Sequence, residues 1–599
     1  MKISIKNILK ITLGLIVLGT GYWMFDQYQN EQLWGHVPLV FLASFWAFIV
    51  LLFEKKYTNA GKSWRWLGLS TLSGVVLSLG FPPIPLTFLM FLGFVPLLFV
   101  EKEISEDKEG TDKWQVFKYA YHTFVVWNIL TTWWVANTAF FASFIAIWLN
   151  SAFMTIPFLL FHQTKKVSPK LGIWTLPVFW MAFEMLHLNW EISWTWLNLG
   201  NAFAEFPSWI QWYEYTGTFG GTLWIWIANL LIFKYLINNN WRFDKWKIPV
   251  IYGKDLLKFK LVILLPIAFS IFQYVTYEEQ GRGVEVGIVQ PNYEPHYEKF
   301  KASSQDRQRQ FLKLSQQIVT DSTKYLVFPE TSFSSVDVDN LNGNRDLRVL
   351  RKFVENYPEL NIVTGISSYN IFLGDEPHSD ATRKMERGDE TIYYEALNAA
   401  TQVSKTDEDY PFYIKSKLVP GAEITPYKSF FFFIQPLMEH LDGSVEGHGT
   451  QPNREAFVSP AGKIAPVICY ESIYGDYHRG YINAGAEAIF ILTNDGWWDN
   501  SAGHLQHLKF ASLRAIETRR AVVRSANTGI SAFLNQRGDI LQATKYEEEA
   551  AISRTILFND EITFYVKYGD LIGRISALVT FLLLLNIIVK SKFGSALKQ

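Results

Sequence analysis

A single cysteine, Cys469, stands among 599 residues. It has no partner for an intramolecular disulfide and no companions for a thiolate metal cluster. Charge is scarce as well: Asp, Glu, Lys and Arg make up 19% of the chain, and their formal sum is -1. A balance so near zero argues against a nucleic-acid partner. Four stretches, Asp26–His36, Pro82–Pro85, Ala136–Ala139 and Asn189–Gly220, contain no Lys or Arg at all. The sequence has no internal repeat and no group of residues at metal-ligand spacing; His504 and His507, three apart, lack a third ligand nearby.

What the chain has instead is apolar and aromatic surface. Hydrophobic residues make up 49% and aromatic residues 16%, with 23 Trp, 28 Tyr and 47 Phe. That composition suits membrane helices bordered by aromatic belts. Apolar runs cover Ile8–Phe25, Val37–Phe53, Trp66–Phe81, Leu86–Val100, Phe117–Val135, Phe140–Phe161, Gly172–Leu188, Gly221–Ile237, Lys260–Val275 and Leu571–Val589. Several approach the ~20 residues that cross a bilayer, which predicts about ten spans. Lys2, Lys6 and Lys10 precede the first run, and no small-residue cleavage site follows, so it reads as a retained anchor. Lys and Arg fall in alternate loops: Lys55 to Arg65, Lys102 to Lys113, Lys165 to Lys170, Arg242 to Lys258, and the tail from Lys590. Basic loops stay cytoplasmic. Both termini are therefore expected inside, with the segment after the ninth span outside. The Trp-rich stretch Asn189–Gly220 reads as an interfacial belt, or else as a lipid-facing gate or a rest for an outer domain.

Between Val284 and Phe558 the composition turns polar. Short β-like runs (Val284–Val289, Tyr325–Phe328, Asn361–Ile366, Tyr393–Val403, Phe412–Val419, Ile464–Ile468, Ala488–Leu492) alternate with helical patterns (Phe300–Asp321, Asp346–Asn356, Ile473–Ala484, Leu505–Arg519). Three more strands follow at Ala521–Ser525, Gly529–Leu534 and Ile540–Ala543. The alternation predicts a layered α/β domain beside the helical bundle. Asp375–Glu390, charged and without apolar periodicity, reads as a mobile loop. The expected division is a membrane domain of about nine spans over 1–282, an extracytoplasmic domain over 283–558, and a last span with a cytoplasmic tail over 559–599.

Three reactive side chains follow β-like runs in that domain. Cys469 leaves the run Ile464–Ile468, and Ser472 is placed to cap a helix from Ile473. A thiol at such a turn meets outward N–H groups and a helix dipole that favour a thiolate; the bland alternative is a small buried hydrophobe. Glu330 ends Tyr325-Leu326-Val327-Phe328-Pro329, where a carboxylate can serve as general base or merely solvate a loop. Lys415 and Lys417 alternate on one strand face, as a charge stabiliser or as edge guards. Thiol, amine and carboxylate together form a nucleophile, an oxyanion stabiliser and a proton acceptor.

The words around these residues are more specific than the residues. Phe328-Pro329-Glu330, then Tyr413-x-Lys415-x-x-Leu418-Val419-Pro420 with Glu423 after it, then Cys469-Tyr470-Glu471, resemble the Glu-Lys-Cys nitrilase superfamily. With membrane spans on both sides, the chain resembles the apolipoprotein N-acyltransferase family of the bacterial envelope. Val289-Gln290-Pro291-Asn292, Thr493-Asn494-Asp495-Gly496-Trp497-Trp498, Arg514-Ala515-Ile516-Glu517, Arg524 to Ser531, Gly80-Phe81-Pro82-Pro83 and Phe94 to Leu98 match as well. The likeness runs from about Phe81 to Val589; the first two spans and Asp375–Glu390 lie outside it, and Gly421-Ala422-Glu423 replaces the usual Phe-Gly-Glu. The resemblance implies an αββα sandwich on a membrane bundle, and no cofactor or metal. It implies an acyl chain taken from a phospholipid, phosphatidylethanolamine, onto Cys469 as a thioester. The chain would then pass to the α-amine of a diacylglyceryl-cysteine lipoprotein. Glu330 would be the base and Lys415 the oxyanion stabiliser, with a lowered thiol pKa beside it. Glu423, Tyr470, Glu471 and Asn398 would support them. The resemblance places the protein in the bacterial inner membrane with this domain periplasmic.

Other readings are a membrane-tethered amidase, in which water attacks the thioester, and a transporter with an accessory outer domain. Tethering needs one span, not ten. A transport path needs intramembrane charges, and Glu184 and His187 are the few candidates. A scaffold with a decayed site is a further reading, against which Glu330, Lys415 and Cys469 stand intact.

Overall fold

The computed structural model describes residues 5–58, 63–107, 113–169, 171–241, 253–299, 301–372, 379–387, 390–405, 410–428 and 447–593. The apolar runs fold as helices, among them Ile5–Gln29, Val37–Leu52, Ser63–Leu79, Lys113–Thr132, Asn150–Val167, Thr175–His187, Thr218–Asn238, Gly253–Thr276 and Leu571–Phe593. The fourth run differs: it breaks into a 3-10 turn, Thr87–Phe91, and a helix, Val95–Glu106, with Pro96 in its first turn. Proline is favoured in a first turn, which suits a helix that restarts at Val95. Among the described residues four helices are long and apolar enough to cross a membrane: Ile5–Gln29, Ile145–Val167, Thr218–Asn238 and Phe564–Lys590. Other runs are shorter or carry buried polar groups such as Asn128 and Glu184.

Aromatic rings fill the centre of the bundle. Phe94 stacks on Trp226 at 4.3 Å and meets the edge of Trp180 at 5.4 Å. Glu184 accepts from Trp180 Nε1 (3.0 Å), Leu199 N (2.7 Å) and Thr222 Oγ1 (2.7 Å). His187 pairs with Asn150 Oδ1 (3.1 Å) and accepts from Trp190 Nε1 (2.8 Å). Both candidate transport groups are thus engaged in holding helices and the Trp-rich stretch together.

The sheets form two layers. The first runs β14(Ala550–Phe558)-β1(Arg282–Gln290)-β2(Thr323–Val327)-β4(Asn361–Phe372)-β6(Glu390–Val403)-β5(Arg383–Arg387), with β3(Phe333–Asp337) on β4 and β7(Phe412–Ile414) on β6. The second runs β13(Ile540–Ala543)-β12(Ala532–Leu534)-β11(Val522–Ala526)-β10(Ala488–Thr493)-β9(Gly462–Ile468)-β8(Phe457–Ser459). Its central strands β9, β10 and β11 are parallel and wholly buried from Ile464 onward, which explains their continuous apolar runs. Tyr325 of β2 meets Phe490 of β10 edge-on at 5.2 Å, so the sheets face each other. The helices Ser304–Gln316 and Arg345–Val354 cover the first sheet; Gly475–Asn483 and Ala502–Thr518 cover the second. This is the nitrilase-type αββα sandwich.

Several local expectations change. The helix expected over Phe300–Asp321 spans Ser304–Gln316, because the Ser303 side chain caps it by accepting from Asp306 N. Phe412–Val419 is a strand only to Ile414. The loop Asp375–Glu390 holds strand β5, whose Arg383–Arg387 pairs with Glu390–Tyr394; residues 373–378 and 388–389 lie outside the described ones. β14 was not foreseen, yet it pairs with β1 along nine residues. Ser472 caps nothing: the helix begins at Gly475, and its hydroxyl donates to Cys469 O (2.7 Å).

The Trp-rich stretch is the rest on which the sheets sit. Trp196, 1% exposed, donates to Gln506 Oε1 (2.6 Å). Gln506 in turn donates to Pro82 O (2.7 Å) and Thr131 O (3.2 Å) of the bundle. Arg519 donates to Glu214 Oε2 and Gln211 Oε1, both at 2.6 Å.

Candidate active site

Strand ends supply the site. Beyond β2, Phe328-Pro329 delivers Glu330 into a tight turn with Thr331 at φ 49°. Ser332 N donates to Gly365 O (2.9 Å), closing that turn on β4. A Cβ at Gly365 would stand 2.6 Å from Glu330 Cα and 2.7 Å from Thr331 N, so only glycine admits the approach. On the neighbouring strand, Asn398 O accepts from Lys415 N (2.8 Å), which sets Lys415 just past the end of β7. Lys415 Nζ donates to Glu330 Oε1 (3.0 Å) and Glu423 Oε1 (2.7 Å). Asn398 Nδ2 donates to the same two oxygens at 2.7 and 3.1 Å. One ammonium and one amide thus hold two carboxylates in a buried cluster. Lys417 diverges from it: its Nζ donates to Leu188 O (3.1 Å) and lies over Tyr474.

Cys469 follows Ile468, the last residue of β9, and takes φ 46°. That left-handed conformation costs an L-residue about 1–2 kcal/mol and turns the side chain sharply off the strand. Glu471, fully buried two residues on, holds the turn. Its Oε2 accepts from Ile468 N (2.9 Å) and Tyr481 OH (3.2 Å). Its Oε1 accepts from Ser416 N, Tyr413 OH and Tyr477 OH, each at 2.8 Å. One carboxylate therefore fixes both the Cys469 elbow and the segment after Lys415. Each of its oxygens faces a backbone N–H, so the amide of Glu471→Gln must turn its NH₂ on at least one of them. That substitution is expected to lower stability by about 1–3 kcal/mol. A thermal melt checks it; a melting temperature equal to the parent's would refute the hub.

The electrostatics divide the charges. Burial works against the Lys415 ammonium, but Glu330, Glu423 and Cys469 hold its pKa well above the ordinary lysine value. Burial likewise raises Glu423, yet Lys415 and His448 outweigh it and hold the carboxyl low. For Cys469 burial dominates, Glu330 adds to it and Lys415 only partly opposes, so the thiol pKa is pushed far up. The expected lowering is therefore corrected: at 7% exposure the lost hydration exceeds what one neighbouring lysine restores. Burial therefore favours the neutral thiol over the thiolate.

Glu330, Lys415, Glu423 and Asn398 are brought into one hydrogen-bonded cluster, and Cys469 lies within its electrostatic reach. Tyr470 stands apart, its OH donating to Ser193 O (3.1 Å) of the bundle. His507 pairs with Asp495 and Ser472. Among the described residues no group of three or more His, Cys, Asp or Glu could hold a metal ion. Sequence reasoning missed Lys299. It is buried, donates to Glu330 O (3.1 Å) and Thr331 Oγ1 (2.5 Å), and burial lowers its pKa to about 8. Beside Glu298 in a polar stretch, it carries no signal that separates it from a surface lysine.

Residues 285–560 match the carbon-nitrogen hydrolase family model. A solved carbon-nitrogen hydrolase from Helicobacter pylori G27 is similar at 12% identity and a TM-score of 0.33, covering 46% of this chain and 89% of that one. The family match and the two-layered sheets give this half of the chain the carbon-nitrogen hydrolase fold. The helical half narrows it: residues 73–231 match the apolipoprotein N-acyltransferase N-terminal domain. Apolipoprotein N-acyltransferases of Chlorobaculum tepidum and Thermotoga maritima are each 26% identical to the chain. The first alignment covers 85% of this chain and 93% of its relative, the second 84% and 92%. The chain belongs to the apolipoprotein N-acyltransferase family and is an acyltransferase.

Proposed function

We propose that the chain moves an acyl group from a phospholipid, through a thioester on Cys469, to the α-amine of a lipoprotein's N-terminal diacylglyceryl-cysteine. The observation that carries this reading is the Lys415 ammonium bonded to Glu330 and Glu423 beside a buried thiol on a strained elbow. Glu330 takes the thiol proton as sulfur attacks the ester carbonyl, and Lys415 stabilises the oxyanion. Collapse breaks the ester C–O bond, and the leaving glyceryl oxygen takes the proton from Glu330. The acceptor amine then attacks the thioester and gives its proton to Glu330. The sulfur leaves as a thiolate and is reprotonated. Glu423 and Asn398 keep Lys415 charged and aimed.

Phosphatidylethanolamine is the proposed donor, tested with the purified protein in vesicles of that lipid or of phosphatidylglycerol, plus a diacylglyceryl-cysteine peptide. N-acyl peptide and lysophospholipid in equal amounts are expected, faster with phosphatidylethanolamine. Free fatty acid in place of N-acyl peptide would mean hydrolysis and overturn the transferase reading.

The proposed setting is the inner membrane of a bacterium, with the sheets on the periplasmic face and both termini in the cytoplasm. Its support is the alternation of Lys/Arg-bearing and Lys/Arg-free loops. Exposed Glu355, changed to Cys, should react with a membrane-impermeant maleimide on intact spheroplasts. Labelling only after lysis would reverse the orientation.

A further inference from the structure

Behind the Cys469 elbow lies a chain of buried polar groups that the acyl transfer described above does not use. Ser472 Oγ lies 2.7 Å from His507 Nε2, and His507 Nδ1 lies 3.0 Å from Asp495 Oδ1. Ser472, His507 and Asp495 are each 1% exposed or less. Arg524 binds Asp495 Oδ2, and its Nη2 is also 3.1 Å from His507 Nδ1. The rings of Trp196 and Trp498 pack on His507 at 5.8 and 5.3 Å. The spacing is that of a Ser-His-Asp triad. Ser472 is nonetheless no nucleophile: it is sealed from substrate, and its hydroxyl reaches Cys469 O at 2.7 Å. A second arm leaves the same carboxylate. Thr493 Oγ1 donates to Asp495 Oδ1 (2.8 Å), and the Thr493 side chain lies close enough to the Cys469 thiol to oppose the effect of burial on it.

We propose that Asp495, His507 and Ser472, with Thr493, are positioning residues that hold the Cys469 carbonyl and sulfur in the geometry acyl transfer needs. The inference rests on the reading of Cys469 as the nucleophile. Its physical basis is the left-handed backbone at Cys469, which persists only where the surroundings over-determine it. Ser472 donates to Cys469 O at 2.7 Å when His507 Nε2, also at 2.7 Å, carries a ring proton and donates to Ser472 Oγ. Asp495 and Arg524 both meet Nδ1 and so bias which ring nitrogen carries the proton. The carboxylate thus reaches Cys469 through two arms, one at its carbonyl and one at its sulfur. Burying Asp495 with Arg524 is costly, and an apolar pair would fill the space at less cost.

The test uses the full chain in phosphatidylethanolamine vesicles with a diacylglyceryl-cysteine peptide. Ser472→Ala should lower kcat by about tenfold to a hundredfold, as a misplacement of up to about 1 Å does. It should leave the phospholipid KM within about twofold and the melting temperature close to the parent's. Ser472→Thr, which keeps the hydroxyl, should restore most of the rate. Alkylation of Cys469 by iodoacetamide at fixed pH should slow in Ser472→Ala and in Thr493→Val, a readout independent of acyl transfer. Parental kcat in a folded Ser472→Ala, or a raised KM at parental kcat, overturns the relay. If Ser472→Ala does not fold, Thr493→Val decides by the same two readouts. An inactive Cys469→Ala beside a fully active Ser472→Ala refutes the relay alone; an active Cys469→Ala refutes the nucleophile on which it rests.

Discussion

Lys415→Met should lower the rate of N-acylation by about 10²–10³-fold or more, while Lys417→Met stays within about threefold of the parent. Methionine keeps the length of the lysine stem and removes the charge, so the difference reads the ammonium itself. In the proposed mechanism that ammonium faces an oxyanion twice, once in acylation of the thiol and once in aminolysis of the thioester, and a single donor of this kind contributes roughly 3–4 kcal/mol. Lys415 also neutralises Glu330 and Glu423, which share its Nζ at 3.0 and 2.7 Å. Removing it leaves two buried carboxylates joined only by Asn398, at a stability cost of about 3–5 kcal/mol. The two effects separate in Lys415→Met/Glu423→Gln. Removing the second charge should recover stability and leave the rate low. Lys417 instead holds the carbonyl of Leu188 at the end of the Thr175–His187 helix and lies 4.9 Å from the Tyr474 ring centroid. Its loss loosens how the sheets rest on the bundle, not the chemistry. Equal rates for Lys415→Met and the parent, measured on folded protein, would remove Lys415 from the site.

The two lysines show how far the linear chain could be read. Lys415 follows the short antiparallel β7 and is visible through the words around it, whereas Glu330 and Cys469 are visible because each follows a buried parallel strand, which leaves an apolar run. The αββα layering is visible for the same reason. What is not visible depends on partners far apart in sequence. Glu471 gathers donors from Tyr413, Ser416, Ile468, Tyr477 and Tyr481, and only folding shows that one carboxylate joins the lysine segment to the cysteine elbow. Alternation placed Lys415 and Lys417 on one face, but alternation holds only within a strand, and the strand stops at Ile414. The thiol's pKa went the other way from the expectation because charge proximity can be inferred from motifs, whereas desolvation depends on the packing around Cys469. Lys299 fails for the same reason: a polar neighbourhood in sequence conceals a buried ammonium under the Glu330 turn. β14 is hidden because Ser553, Arg554 and Thr555 face solvent in the middle of the strand and break its apolar run.

Incubated with phospholipid alone, the protein should acquire one acyl chain on the Cys469 peptide, released by neutral hydroxylamine and absent from Cys469→Ala. Cys469→Ala should lose acyl transfer altogether, the largest effect expected of any single change. A thiol nucleophile divides the transfer into two displacements, so the donor can react and depart before the acceptor arrives. One small site can then serve two lipid-anchored substrates in turn, and both approach it by lateral diffusion in one leaflet. Initial rates should follow ping-pong kinetics, with parallel double-reciprocal lines as acceptor is varied at several phospholipid concentrations. The buried thiol adds a condition. Burial and Glu330 both raise its pKa, which disfavours attack as a preformed thiolate. Proton removal should accompany the attack, and Glu330, bonded to Lys415 and Asn398, is the carboxylate placed to accept it. Glu330→Gln keeps the shape of the cluster and removes the base, so it should slow adduct formation by about 10²–10⁴-fold. Single-turnover labelling read by intact mass separates the steps. If Cys469→Ala still acylates the acceptor, or rates demand a ternary complex while no adduct is ever trapped, the thioester is wrong. The elbow at φ 46° would then have to be explained by folding alone.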